Sequence, residues 1–296
     1  MSGNPSIKWA VSQPDFALVR LLTDELGISE VTARVLAARG IGSADEAREF
    51  LTPSLDRDWP DTSAIPGLAK VAARVSRAID MGEHIVVFGD FDLDGISAAA
   101  VATRGLRALG ADIDAVVPHR FREGYGLTPA AVDRLVGMSP RLVVTVDCGI
   151  SSAKEIETLK ERGIDVVVTD HHEPGEDVPA AIPVANPRLA RQGPDLAGAG
   201  VSLALVRAVG EVRGIRDAWR QLTDLAALGT IADVVPLTGA NRALVADGLA
   251  AMRAHPRAGI AALAGAAGVA TDAITAERVA FALAPRLNAA GRMADP

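Results

Sequence analysis

The sequence predicts an α/β fold: a parallel sheet with helices on both faces, a helical N-terminal lead-in and a helical C-terminal part. Two observations predict it. Four apolar runs of strand length, Ile85 to Phe88, Ile113 to Val117, Leu142 to Val146 and Ile164 to Val168, are rich in Val and Ile and do not alternate with polar residues. That is how strands buried on both faces read. Between them lie amphipathic segments of helix length, about Ser97 to Leu109, Thr128 to Val136 and Ser151 to Arg162, and helices placed between strands make those strands parallel.

Residues 1–65 read as a helical N-terminal extension. Helices are expected at Ala17 to Leu26 and Glu30 to Ala38, followed by irregular chain marked by Pro53, Pro60 and Pro66. The α/β domain is expected over 66–296. A Pro-rich stretch from Pro174 to Pro194 interrupts the alternation, and helices are then expected at Val201 to Val212, Asp217 to Leu228, Asn241 to Ala254 and Ala276 to Leu283.

Composition narrows the function classes. With 49% apolar and 23% charged residues among 296, the chain is globular rather than disordered or fibrous. The longest uncharged apolar stretches, such as Gly259 to Thr271, fall far short of the roughly 20 residues of a bilayer span, and the polar start carries no signal-peptide pattern. No membrane partner is therefore expected. The single cysteine, Cys148, excludes an internal disulfide and a Cys-rich zinc site and suits a reducing cytoplasm. A net charge of -7 argues against coating nucleic acid by bulk electrostatics, although a site of clustered carboxylates carries its charge as metal ligands.

In open parallel sheets the site lies at the carboxyl ends of the strands. There the first strand runs into Gly89-Asp90-Phe91-Asp92-Leu93-Asp94-Gly95, the third ends at Asp147, and the fourth ends at Thr169-Asp170-His171-His172. Asp233, after a helix, is placed to fold back over the same edge. One Asp after a strand is commonly only a helix cap. Up to five carboxylates converging with two histidines would repel one another by several kcal/mol in a cleft of low dielectric, so cations are the simplest explanation. Oxygen-rich ligands with one or two imidazoles favour Mn²⁺ or Mg²⁺, and two ions fit the ligand count better than one. That arrangement suits hydrolysis of a phosphoester or phosphoanhydride, where one ion lowers the pKa of the attacking water and both brace the displacement.

The pattern Asp-x-Asp-x-Asp-Gly at 90–95 together with Asp170-His171-His172 resembles the DHH phosphoesterase superfamily. The flanking text, Val87 to Gly95, Thr145 to Ser151, Val168 to His172 with Pro174-Gly175, Ala227 to Leu237 and Pro285 to Arg292, resembles the RecJ family within it, in that family's order. The resemblance implies a 5′-to-3′ exonuclease on single-stranded DNA, dependent on Mn²⁺ or Mg²⁺ and serving recombination and repair. It also implies a single-strand-binding protein and a recombination helicase as partners. Residues 66–296 would then be a DHH catalytic domain, with the DHH-associated and OB domains of that family not read in the chain.

Carried over by position, the resemblance makes Asp90, Asp92, Asp94, Asp147, His171 and Asp233 metal ligands. Asp92 and Asp94 are the stronger of the first motif, and Asp147 bridges the two ions. It makes His172, Asp147 and Asp170 catalytic, with His172 a ligand or a donor to the transition state. Phe88 stands where many superfamily members have histidine, which implies an extra water on one metal or recruitment of Asp90. In the loop Pro118 to Gly126, Arg120 and Arg122 are candidates for DNA phosphates, with Phe121 or Tyr125 stacking on a base. Arg286, Asn288 and Arg292 are candidates for the substrate backbone.

Leu196 to Gly200 reads as close helix packing, and Cys148 as a small residue beneath the metals. Two other functions stay open. One is a DHH phosphodiesterase or pyrophosphatase acting on small substrates, which the block around Arg286 to Arg292 disfavours; the other is a DNA-binding relative without catalysis, in which the ligand positions would be eroded.

Overall fold

The computed structural model describes residues 13–293. The chain divides into two compact units after Ser54. The first is a small helical unit of α1 (Phe16–Leu26), α2 (Glu30–Ala38) and α3 (Ala44–Leu51). Each has an oxygen-bearing N-cap, from Asp15, Ser29 and Ser43, that accepts an amide hydrogen of the first turn. Val19, Leu22, Ala33, Leu36, Ala44 and Ala47 form its core. The third helix is not evident in the sequence because it is short and strongly charged, with Asp45, Glu46, Arg48 and Glu49.

Residues 55–65, expected to belong with the lead-in, pack into the second unit instead. Leu55, Trp59 and Ile65 are buried in its main core, and the Trp59 ring stacks on Trp219 at a centroid distance of 5.7 Å. Burial of two indoles so far apart in sequence outweighs the local proline punctuation that suggested a boundary near Pro66.

The second unit is built on five strands, β1 (Ile85–Phe88), β2 (Ile113–Val116), β3 (Leu142–Val146), β4 (Asp165–Thr169) and β5 (Val184–Ala185). Every pairing is parallel and the order is β2-β1-β3-β4-β5. Side chains alternate across the sheet. Ile85, Val87, Leu142 and Val144 face a core shared with α4 (Leu68–Asp80), α5 (Leu93–Ala108) and α8 (Gly198–Val212). Val86, Phe88, Val143 and Val166 face α6 (Pro129–Met138) and α7 (Ala153–Glu161) on the other side. Because β1 is flanked by β2 and β3, the chain reverses its winding there, and the crevice at the carboxyl ends of β1 and β3 is the switch point where such sheets bind ligands.

Four later helices, α9 (Thr223–Ala232), α10 (Gly239–Ala254), α11 (Ala258–Ala266) and α12 (276–293), surround a further apolar cluster containing Leu228, Ile231, Leu249, Ile260 and Leu283. Helix α12 is interrupted by a π-helical turn at Val279–Leu283 before it continues as Ala284–Met293. Among the described residues no helix is long and apolar enough to cross a membrane.

Local differences from expectation have local causes. Helix α5 starts at Leu93 rather than near Ser97, because the Asp92 side chain caps it by accepting the Gly95 amide at 3.0 Å. Helix α4 is absent from the expected elements although seven of its residues, among them Val71 and Val75, are buried; it precedes the first strand, where the alternation of strands and helices begins. Phe88 points into the core beneath β1, not into the switch-point crevice. Replacing Phe88 by alanine should therefore lower the unfolding free energy by about 3–5 kcal/mol, the usual cost of such a cavity, measurable as a reduced midpoint in urea denaturation.

Candidate metal centre

At the switch point the strand ends deliver their acids side by side. Asp147 directly follows β3 and adopts φ 59°, a left-handed conformation that costs a residue with a Cβ about 1–3 kcal/mol. Its amide still bonds the Thr169 carbonyl of β4 at 3.0 Å, so the backbone turns sharply while the carboxylate stays over the crevice. Asp90 follows β1, Asp94 lies in the first turn of α5, and Asp233 closes α9.

Three groups of potential ligands result, each with ligand atoms within 4.8 Å of one another: Asp90, Asp92 and Asp147; Asp147, His171 and His172; Asp94, His171 and Asp233. Asp147 and His171 each belong to two groups, a geometry suited to two neighbouring ions. His171 Nε2 lies 3.0 Å from Asp147 Oδ1 and 3.8 Å from Asp94 Oδ2, and its Nδ1 lies 3.7 Å from Asp233 Oδ2.

The electrostatics fit cations. Burial pushes Asp90 up to about 6, with Asp92 adding to the effect. Asp94 and Asp147 are pushed well above the usual carboxylate range by burial, then by Asp147 and Asp92 respectively. Asp233 is raised by burial and by Asp92, against the pull of His171. Asp90 Oδ1 and Asp147 Oδ1 are buried and accept no hydrogen bond, lone pairs that a hard cation would use. The residues present therefore fit Mn²⁺ or Mg²⁺.

Asp170 differs from the others. Its Oδ1 accepts the amides of His171 and His172 and the Nδ1 of His172 at 2.7 Å, and its Oδ2 accepts the Ile150 amide at 2.9 Å. Burial would raise it, but these bonds, with His172 first, bring it below the usual carboxylate value. The same pairing raises His172 against the effect of burial. Asp170 thus fixes the His172 ring, whose Nε2 is turned toward the Tyr125 hydroxyl at 3.3 Å.

Tyr125 sits edge-on to Phe91, and the Arg120 guanidinium lies 4.4 Å over the Phe91 ring. The loop after β2 is thereby joined to both the first acid motif and the histidines, with Glu123 tying it down through the His119 amide. Arg122 is exposed on the same loop. Arg286 is exposed on α12 and donates to the Ala282 carbonyl of its own helix. Asn288 accepts the Leu93 amide at 2.8 Å, between Asp92 and Asp94. The side chain of Arg292 lies outside the described residues.

Sequence reasoning missed the start of α8. Gly198 and Ala199 donate their amides to Asp94 at 2.7 and 3.1 Å, so a helix N-terminus holds this carboxylate from behind. The segment does pack closely, and the glycines show how closely: a Cβ on Gly198 would fall 2.3 Å from Asp147 Oδ1, and one on Gly229 2.4 Å from Asp94 Oδ1. The available signal in the sequence is Gly198-Ala199-Gly200 at the start of a helix.

Residues 84–230 match the model of the DHH family, N-terminal domain. Over 296 residues the chain is 38% identical to the single-stranded-DNA-specific exonuclease RecJ of Bacillus subtilis (strain 168), covering 98% of this chain and 37% of that protein. The chain belongs to the DHH family. The fold of RecJ from Thermus thermophilus in complex with Mn²⁺ matches 96% of this chain and 40% of that one, with a TM-score of 0.81 and 37% identity. The Mg²⁺ complex from the same organism matches 96% of this chain and 37% of that one, at a TM-score of 0.70 and 34% identity. The chain spans about two fifths of the length of these RecJ proteins.

The buried charges and the close glycine approach each have a measurable consequence. Asp90, Asp94, Asp147 and Asp233 titrate higher in the fold than in the unfolded chain, where a carboxylate ionises near about 3.9. Their contribution to stability is complete below that pH and is lost as pH rises through the folded values, about 6 for Asp90. Asp170, being lowered, acts in the opposite sense, but only at and below its unfolded pKa. In chelator, the melting temperature should accordingly fall as pH rises from about 4 through about 6, where Asp90 ionises, with the other three raised carboxylates acting in the same sense, and Mn²⁺ should raise it most above that pH. Gly198→Ala should displace the Asp147 carboxylate and weaken Mn²⁺ binding by about tenfold or more, read by titration calorimetry.

Proposed function

We propose that this chain is the catalytic DHH portion of a metal-dependent exonuclease that hydrolyses phosphodiester bonds of single-stranded DNA from 5′ to 3′ in recombination and repair. The observation that carries this reading is the sharing of Asp147 and His171 between ligand groups at the switch point, in a chain so similar to RecJ. Asp147, with Asp90, Asp92, Asp94, His171 and Asp233, would hold the ions. Mn²⁺ or Mg²⁺ held there would lower the pKa of the attacking water and neutralise charge developing on the phosphoryl oxygens.

The chain's own residues would then orient the substrate. Asp170 holds His172 Nδ1 and favours its protonated form, leaving Nε2 to donate to a phosphate oxygen or to the leaving group. Asp170 acts through His172 and is a positioning residue in this reading. Arg120, preorganised over Phe91, would bind a backbone phosphate, with Arg122 and Arg286 as further phosphate contacts. Tyr125, 58% exposed, would offer a ring face to a base. A cavity of about 450 Å³ beside His172, lined by Thr128, Ser151, Ser152 and Glu155 among others, would receive the terminal nucleotide. A cytoplasmic setting and partnership with a single-strand-binding protein and a recombination helicase belong to the same reading.

The test is digestion of single-stranded DNA labelled at either end, with Mn²⁺ and with excess chelator. Mononucleotides should be released from the 5′ end only and only with metal; full activity in chelator would end the metal reading, and a preference for dinucleotides would favour a small-substrate enzyme. Asp147→Ala should abolish hydrolysis while the fold survives, since the substitution relieves repulsion in the metal-free protein. Arg120→Ala should weaken strand binding with little dependence on base sequence and flatten its salt dependence by roughly 0.7 in slope per lost phosphate contact.

A further inference from the structure

Asn288 belongs to a helix 195 positions beyond the residue it contacts, yet it meets the loop that carries Asp92 and Asp94. Its Oδ1 accepts the Leu93 amide at 2.8 Å. Leu93 is the first residue of α5 and lies between Asp92 and Asp94. Amides in the first turn of a helix lack intrahelical acceptors. Here the Asp92 side chain takes Gly95 and Asn288 takes Leu93, so the turn bearing two acids is capped from two directions.

The path of α12 is arranged to bring Asn288 there. Pro285 has no amide hydrogen to donate to the Phe281 carbonyl, and the helix passes through the π turn at Val279–Leu283, where the Ala284 amide bonds back to Val279. The Arg286 side chain takes up the Ala282 carbonyl. One residue added to a turn rotates all that follows by roughly 100° about the helix axis. In an uninterrupted helix Asn288 would face a different direction.

We propose that Asn288 is a positioning residue for the metal loop, its carboxamide oxygen holding the Leu93 backbone and so setting Asp92 and Asp94 for the ions, rather than a DNA contact. The proposal rests on the metal reading given under Proposed function. Partners behind metal ligands commonly matter by about 10–100-fold in affinity, and this one acts through the ligands' own backbone.

The test compares Asn288→Leu, which keeps the bulk and loses the acceptor, with Asn288→Asp, which keeps an acceptor at the same reach. Calorimetry with Mn²⁺ alone should show affinity lowered about tenfold in N288L and largely restored in N288D. Hydrogen exchange at the Leu93 amide should accelerate in N288L and not in N288D. On single-stranded DNA, N288L should lower kcat and leave KM near the wild-type value. Unchanged Mn²⁺ affinity and Leu93 exchange in N288L would overturn the proposal, as would a raised KM with kcat retained, the mark of a substrate contact. Should N288L not fold, exchange in the wild-type chain decides, because a Leu93 amide as unprotected as a free first-turn amide would remove its basis. A wild-type chain that binds no Mn²⁺ would instead defeat the metal reading, and the exchange results would still judge the hydrogen bond itself.

Discussion

Buried carboxylates in excess of the positive partners beside them are the constraint around which the second unit is arranged. Asp90, Asp94 and Asp147 are each no more than 3% exposed, and burial raises all three. Such crowding would be relieved by protonation or by cations. The surroundings are shaped to keep the carboxylates together rather than to let them part. The amides of Gly198 and Ala199 grip Asp94, Asn288 holds the backbone next to it, and Asp147 is kept in a left-handed conformation at a strand end. This costs stability in the metal-free chain and yields a site already formed when ions arrive.

The same constraint explains the division of labour between the acids at the ends of the third and fourth strands. Asp147 retains an oxygen with no hydrogen bond, whereas both oxygens of Asp170 are occupied by backbone amides and His172. Identical side chains one strand apart are thus opposite in character. Tyr125 remains a neutral phenol, raised by partial burial and by Asp90, Asp147 and Asp170, so it adds no charge where the crevice meets the loop after β2.

Much of this was legible in the residues. The unalternating Val-rich runs marked four strands within a residue or so of their ends, and the switch-point rule led directly to Asp90 to Asp94, Asp147 and Asp170 to His172. What escaped was set by tertiary contact. The strand β5 has two residues, Val184 and Ala185, too few for a pattern. The segment 55–65 is claimed by Trp219, and nothing local to Trp59 announces that. The grip of α8 on Asp94 depends on two amides, groups that every residue but proline carries. Asn288 could be picked out as an unusual polar residue among alanines and Pro285 as a break in the helix, but that the break is a π turn that aims Asn288 shows only in the structure.

The joining of Asp94 to the start of α8 also bears on how the chain matures. The two partners are 104 residues apart in sequence, and contacts so distant close late because the loop entropy must be met first. On a ribosome the first acid motif and β1 emerge long before Gly198, Gly229 and Asp233 exist to complete the pocket. An ion captured early would find only Asp90, Asp92 and Asp94 on an unfinished sheet. Because the last walls of the site lie as far along the chain as residue 233, ions held by the full set would be bound only once the core is complete.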